Sequence, residues 1–85
     1  MRRFKWIEWN IKKVEAHSLS PPEVEAAFDR VLHLQERNDG SFETYAELPN
    51  GRHIWVIWRY DRDDDEVPDV FGDLADPPIF VITAY

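Results

Sequence analysis

The chain has no cysteine, so neither a disulfide nor a thiolate metal site is open to it, and a reducing, intracellular compartment is the expectation. It also has no apolar run approaching the roughly 20 residues of a membrane span. The opening MRRFKWIEWN lacks the apolar stretch of a signal peptide. A cytoplasmic, soluble protein without a membrane partner is expected. No internal repeat occurs, which excludes stacked-repeat architectures.

What is present must therefore build a core from little material. A chain of 85 residues makes one domain over 1–85, and a domain of this size buries only about two-thirds of its unfolded surface. Twelve aromatic residues, four of them tryptophan, compensate, since each can bury roughly 150–250 Å². The net charge of −7 is unevenly placed: up to Tyr60 nine Lys/Arg balance nine Asp/Glu, whereas from Asp61 onward one Arg faces eight acids. That acidic stretch, DRDDDEVPDVFGDLADPP, carries three of the six prolines and reads as an irregular loop over 61–78. It exceeds the roughly 12–15 residues of an ordinary connection, which points to a function or to mobility.

Phe4-Lys5-Trp6 reads as a short aromatic strand. From Ile7 to Ala16 the apolar residues recur at three- and four-residue steps, which predicts a helix ended by His17-Ser18. Ser20-Pro21-Pro22-Glu23 then starts a second helix: Ser caps, Pro occupies a first-turn position where no donor is missed, and Glu can reach back to the cap amide. This helix should run to about Asp29 and bury Val24, Ala27 and Phe28. After Arg30 the period changes to two. VLHLQER, SFETYAEL and RHIWVIWRY read as strands joined by Asn38-Asp39-Gly40 and Pro49-Asn50-Gly51, both with hairpin chemistry. The third of these strands is apolar on both faces and should be central. IFVITAY supplies the last. The fold class is thus α+β, a short strand and two helices packed on an antiparallel sheet.

One run carries more than architecture. Trp6-x-x-Trp9-Asn10-Ile11, then His17-x-x-Ser20-Pro21-x-Glu23-Val24-Glu25, resembles the N-terminal signature of BrnT-like proteins, toxins of bacterial toxin-antitoxin systems with a RelE-like fold. The likeness continues loosely through the strands and returns at Val81-Ile82-Thr83-Ala84. There Tyr85 stands where the family commonly has arginine, and the basic helix that follows in the family is absent from this sequence. The resemblance implies a metal-independent endoribonuclease that inhibits translation, acts on RNA or at the ribosome, and is neutralised by a cognate antitoxin. In such enzymes the ribose 2′-hydroxyl attacks the adjacent phosphate while Lys, Arg, His or Tyr side chains move protons and take up phosphoryl charge. No cofactor is implied. A homodimer is a further expectation.

Residues that could do this chemistry each have a structural reading beside the functional one. His17, at the end of the first helix, can exchange a proton near neutral pH or simply cap the helix. Arg59 and Tyr60 close the central strand, with Tyr85 expected nearby, and form the preferred catalytic pair; alternatively Arg59 neutralises the neighbouring aspartates. Lys12 and Lys13 could contact phosphate or form a solvated helix face. Arg37 and Arg52, flanking the hairpin turns, could form a basic rim for RNA or keep the turns soluble. Glu8 and Asn10 read as capping groups. His33 and His53 lack a third ligand at metal spacing. Asp61, Asp63 and Asp65 suggest a calcium loop, but Glu66 and Gly72 stand where that loop needs Gly and Glu, so no metal is expected. The tryptophans read mostly as core, with one exposed indole free to stack on a base. A second functional class stays open: a non-catalytic interaction domain whose acidic loop mimics a phosphate backbone for a basic protein partner.

Overall fold

The structure, a computed structural model, describes residues 3–61 and 77–85. Its elements are β1 (Phe4–Lys5), α1 (Glu8–Glu15), α2 (Pro21–Ala27), β2 (Val31–Glu36), β3 (Phe42–Glu47), β4 (His53–Tyr60) and β5 (Ile79–Ala84). The α+β class and the order of elements agree with the sequence. Most of the acidic stretch expected as a loop over 61–78 lies outside the described residues, but its ends are joined: the Asp61 amide donates to the Pro78 carbonyl at 2.7 Å.

The five strands form one sheet in the order β1-β5-β4-β3-β2. β2, β3, β4 and β5 pair antiparallel in succession, whereas β1 runs parallel to β5. The sheet is therefore mixed, which corrects the expected antiparallel sheet. Two helices separate β1 from β2, so no hairpin joins them, and the two residues of β1 pair instead with the start of β5 at the far edge.

Both hairpin turns have one construction. In Arg37–Ser41 the Gly40 amide donates to the Arg37 carbonyl, the Arg37 amide donates to the Ser41 carbonyl, and Gly40 has φ 86°. In Leu48–Arg52 the Gly51 amide donates to Leu48, the Leu48 amide donates to Arg52, and Gly51 has φ 88°. Each is a type I turn closed by glycine in the left-handed region, where an L side chain is disfavoured. Asp39 and Asn50 then accept from the amides of Ser41 and Arg52, each at 2.9 Å. The Ser41 hydroxyl also donates to Asp39, and these two bonds hold its carboxyl below the ordinary carboxylate range.

The helices follow equally local rules. Ile7 cannot cap α1, and Asn10 does so from within: buried, it accepts from the Ile7 amide at 2.7 Å and donates to the Lys5 carbonyl at 2.9 Å. At the other end the Leu19 amide donates to the Val14 carbonyl and the Ser18 amide to Glu15. Ser18, at φ 60°, takes the left-handed position of this Schellman closure, and Leu19 packs with Val14 in the core. The Ser20–Glu23 capping box is present as expected. α2 ends two residues short of the expected Asp29, because the amides of Phe28, Asp29 and Arg30 bond three residues back, tightening the last turn before β2.

Val14, Leu19, Val24, Ala27 and Phe28 from the helical layer meet Ala46, Ile54, Val56, Trp58 and Val81 of the sheet. Phe28 lies edge-on to both Phe4 and Trp58 at 5.1 and 5.4 Å, and Phe42 stacks on Trp58 at 4.6 Å. Such pairs add about 0.5–1.5 kcal/mol each beyond their burial. The Trp58 indole N–H donates to the buried Thr44 hydroxyl at 2.9 Å, so neither polar group is stranded. β4 is central, as its sequence predicts, with Ile54, Val56 and Trp58 buried on the helical side, while on the other face Ile57 is buried and His53 and Arg59 are exposed. β2, the outer strand beside β3, is exposed throughout, with Leu32 and Leu34 more than half accessible. Among the described residues no helix is long and apolar enough to cross a membrane.

Candidate functional site

The residues singled out in the sequence do not converge. Tyr85 pairs with Trp55 through reciprocal backbone bonds of 2.8 and 2.9 Å, while Tyr60 pairs with Ile79. Trp55 and Tyr60 are five residue steps apart along β4, about 17 Å at the usual strand rise. Tyr85 is thus at the opposite end of the strand from Arg59 and Tyr60, contrary to expectation. It lies instead beside His17, ring to ring at 6.0 Å. Arg59 and Tyr60 are also split between faces, since successive strand side chains alternate: Tyr60 packs with Phe42 and Trp58 on the helical side, whereas the Arg59 guanidinium sits 4.7 Å over Phe80 and 3.6 Å from Asp61. Both nevertheless line one groove of about 450 Å³, together with Glu36 and Asp39, whose carboxylates repel a phosphate.

The remaining cations have local duties. Lys12 pairs with Glu8 at 2.8 Å on the exposed side of α1, and Lys13 lies 5.4 Å over the Trp9 ring. Arg52, expected on a basic rim, donates instead to the carbonyls of Ser18 and His17 at 3.2 and 2.8 Å. It satisfies acceptors that the end of α1 leaves open and ties the interhelical turn to the β3–β4 hairpin. Arg37 stays at its turn, beside Asp39.

A different set does converge, on the sheet face opposite the helices. Strand pairing places His33 opposite Tyr45, Tyr45 opposite Trp55, and Glu47 opposite His53. Because Ala46, Ile54 and Val56 point into the core, these neighbours point away from it. Tyr45 stacks on His53 at 5.6 Å and lies 4.9 Å from Trp55, which meets His33 edge-on at 6.4 Å. Tyr45 and Trp55 keep partial solvent access, and both histidines are exposed. At the hairpin end of this row Glu47 lies between two basic side chains: its Oε2 is 3.5 Å from His53 Nε2, and its Oε1 is 3.6 Å from Arg30. Further along, Trp9 stacks on Phe80 at 6.0 Å next to Arg59. Of the tryptophans only Trp58 is fully core, which revises the expectation that most would be; Trp6 is partly buried and donates to Glu25 at 2.8 Å.

This face offers flat π-surfaces in a row, two imidazoles, a carboxylate and two guanidiniums at its margins. The histidines flank Tyr45 on separate strands, and among the described residues no group of three or more His, Asp or Glu is placed to hold a metal ion. The sequence did contain the signal. Each turn closes a hairpin in a fixed register, so Leu48 opposite Arg52 implies Glu47 opposite His53 and Tyr45 opposite Trp55. Arg37 opposite Ser41 likewise leads to His33 opposite Tyr45. Reading strands singly, without carrying the register across, hides this. No protein-family model, no curated protein and no solved structure matches the chain.

Proposed function

We propose that this protein is a BrnT-like toxin with a RelE-like fold, an endoribonuclease that binds single-stranded RNA on the uncovered face of its sheet and is held in check by an antitoxin. The observation that carries this reading is the row of Tyr45, His53, Trp55 and His33, which among the described residues keeps solvent access on the sheet face away from the core. Unpaired bases stack on aromatic and imidazole planes, each such contact contributing about 1–3 kcal/mol. A duplex, whose bases are already stacked, gains nothing from such a platform. The likeness of the Trp6–Glu25 run to the BrnT signature supports the same class of substrate.

Charge fits the reading better than the total suggests. The excess acidity begins at Asp61, while the chain before it is balanced, and Arg30 and Arg59 border the face to meet phosphates. The test is titration of the protein into a short fluorophore-labelled single-stranded RNA, followed by fluorescence anisotropy, with duplex RNA as the control. Trp55→Ala should weaken binding to the single strand by about 5- to 100-fold, in line with one lost stacking contact. Equal affinity of the variant and the parent would remove RNA from this face. Growth arrest on expression in a bacterium, relieved by a neighbouring antitoxin gene product, tests the toxin assignment separately.

A further inference from the structure

We infer that the reaction centre of this RNA-binding face is the Arg30–Glu47–His53 cluster with His33, at the end of the sheet where the β3–β4 hairpin turns, and that its substrate is a single-stranded ribose–phosphate linkage. The inference rests on the RNA reading above and goes beyond it in assigning the chemistry. Four elements of geometry carry it. Glu47 Oε2 faces His53 Nε2 at 3.5 Å, so Nδ1 is the ring nitrogen turned away from that carboxylate. Tyr45 stacked on the imidazole at 5.6 Å, tilted by 16°, fixes the plane of the ring. Arg30 reaches the same carboxylate from the start of β2 at 3.6 Å. His33 stands on the other side of Tyr45, held edge-on to Trp55.

His33 and His53 belong to strands separated by β3 and lie opposite Tyr45 and Glu47, two residues apart on that strand, so their backbones are roughly 12 Å apart from the usual strand spacing and rise. An in-line arrangement of 2′-oxygen, phosphorus and 5′-oxygen, with a hydrogen bond of about 2.8 Å at each end, spans a comparable distance. His53 Nδ1 takes the proton of the 2′-hydroxyl as that oxygen bonds to the adjacent phosphorus. The bond from phosphorus to the 5′-oxygen breaks, and the imidazolium of His33 gives that oxygen its proton. One proton is gained and one given, and solvent restores both rings. The Arg30 guanidinium takes up the charge that grows on the non-bridging oxygens. The products are a 2′,3′-cyclic phosphate and a 5′-hydroxyl, with no oxidant and no metal consumed. Glu47 is a positioning residue, acting through His53.

The experiment uses the full chain, a 20-nucleotide single-stranded RNA and EDTA throughout, with product ends identified by mass spectrometry and affinity measured in parallel. His53→Ala and His33→Ala should each lower the cleavage rate at saturating RNA by about 10²- to 10⁴-fold, the usual contribution of a general acid or base, over and above the loss of affinity from a missing stacking contact. Both positions are exposed, and circular dichroism melts confirm that the variants fold. Glu47→Gln should shift the alkaline or acidic limb of the pH–rate profile, which a purely structural carboxylate would leave in place. A substrate with 2′-deoxyribose should bind and stay intact. RNA bound but not cleaved, or cleaved equally by parent and His53→Ala, overturns the inference while leaving the binding face standing. No RNA bound at all overturns both.

Discussion

The two faces of one sheet are built from the same strands and do opposite things. On the helical side every second residue of β4, Ile54, Val56 and Trp58, is buried against Val14, Val24 and Phe28, and the polar atoms there are paired, as Trp58 with Thr44. On the other side their neighbours His53, Trp55 and Arg59 carry aromatic and charged groups that meet one another and solvent. The difference teaches that aromatic content is not one quantity in this protein. Tryptophan closes the core at Trp58 and keeps partial solvent access at Trp55, three residues away, and alternation along β4 makes the separation.

Substitution can break that contrast. Trp58→Ala should cost about 3–5 kcal/mol in a urea melt, from lost burial and the cavity left behind, together with a stranded Thr44 hydroxyl. Trp55→Ala, three residues earlier in β4, should cost much less stability and lose RNA binding instead. If the two variants unfold alike, the open face is part of the core and the functional reading fails. Ser18→Gly probes a smaller effect on the helical side. An L residue pays about 1 kcal/mol to sit in the left-handed region, so glycine at φ 60° should raise the melting midpoint, partly offset by the greater freedom of the unfolded chain. A fall would place the Ser18 side chain in a stabilising contact. The smallest effect is expected at the exposed edge. Leu34→Lys, more than half accessible on β2, should move stability by no more than about 0.5 kcal/mol. A larger loss would mean that the edge strand is covered in solution, as it would be in a homodimer.

Much of the fold was legible in the sequence because its determinants are local. Ser20-Pro21-Pro22-Glu23 makes the capping box that its spacing requires, Asn38-Asp39-Gly40 and Pro49-Asn50-Gly51 make the two turns, and the two-sided apolarity of β4 puts it at the centre. The parallel seating of β1 was not legible, since two residues carry no pairing signal of their own. The functional residues were less legible still. Arg59 and Tyr60 are neighbours in sequence and so invited a joint role, but strand alternation sends them to opposite faces. Arg52 was read as part of a basic rim or as a group keeping its turn soluble, but its guanidinium closes the carbonyls of His17 and Ser18, 35 and 34 residues away in the chain.

The sequence by itself determined the element types, the turn chemistry, the place of β4 and the concentration of acidity after Asp61, because each depends on residues within a few positions of one another. Only the tertiary structure decided which cations are engaged by backbone carbonyls, which tryptophans face solvent, and that Arg30, Glu47, His53 and His33 stand around one tyrosine. Those relations pass through strand register and through contacts distant along the chain. Register multiplies each local turn into a row of neighbours, and the site arises in that row.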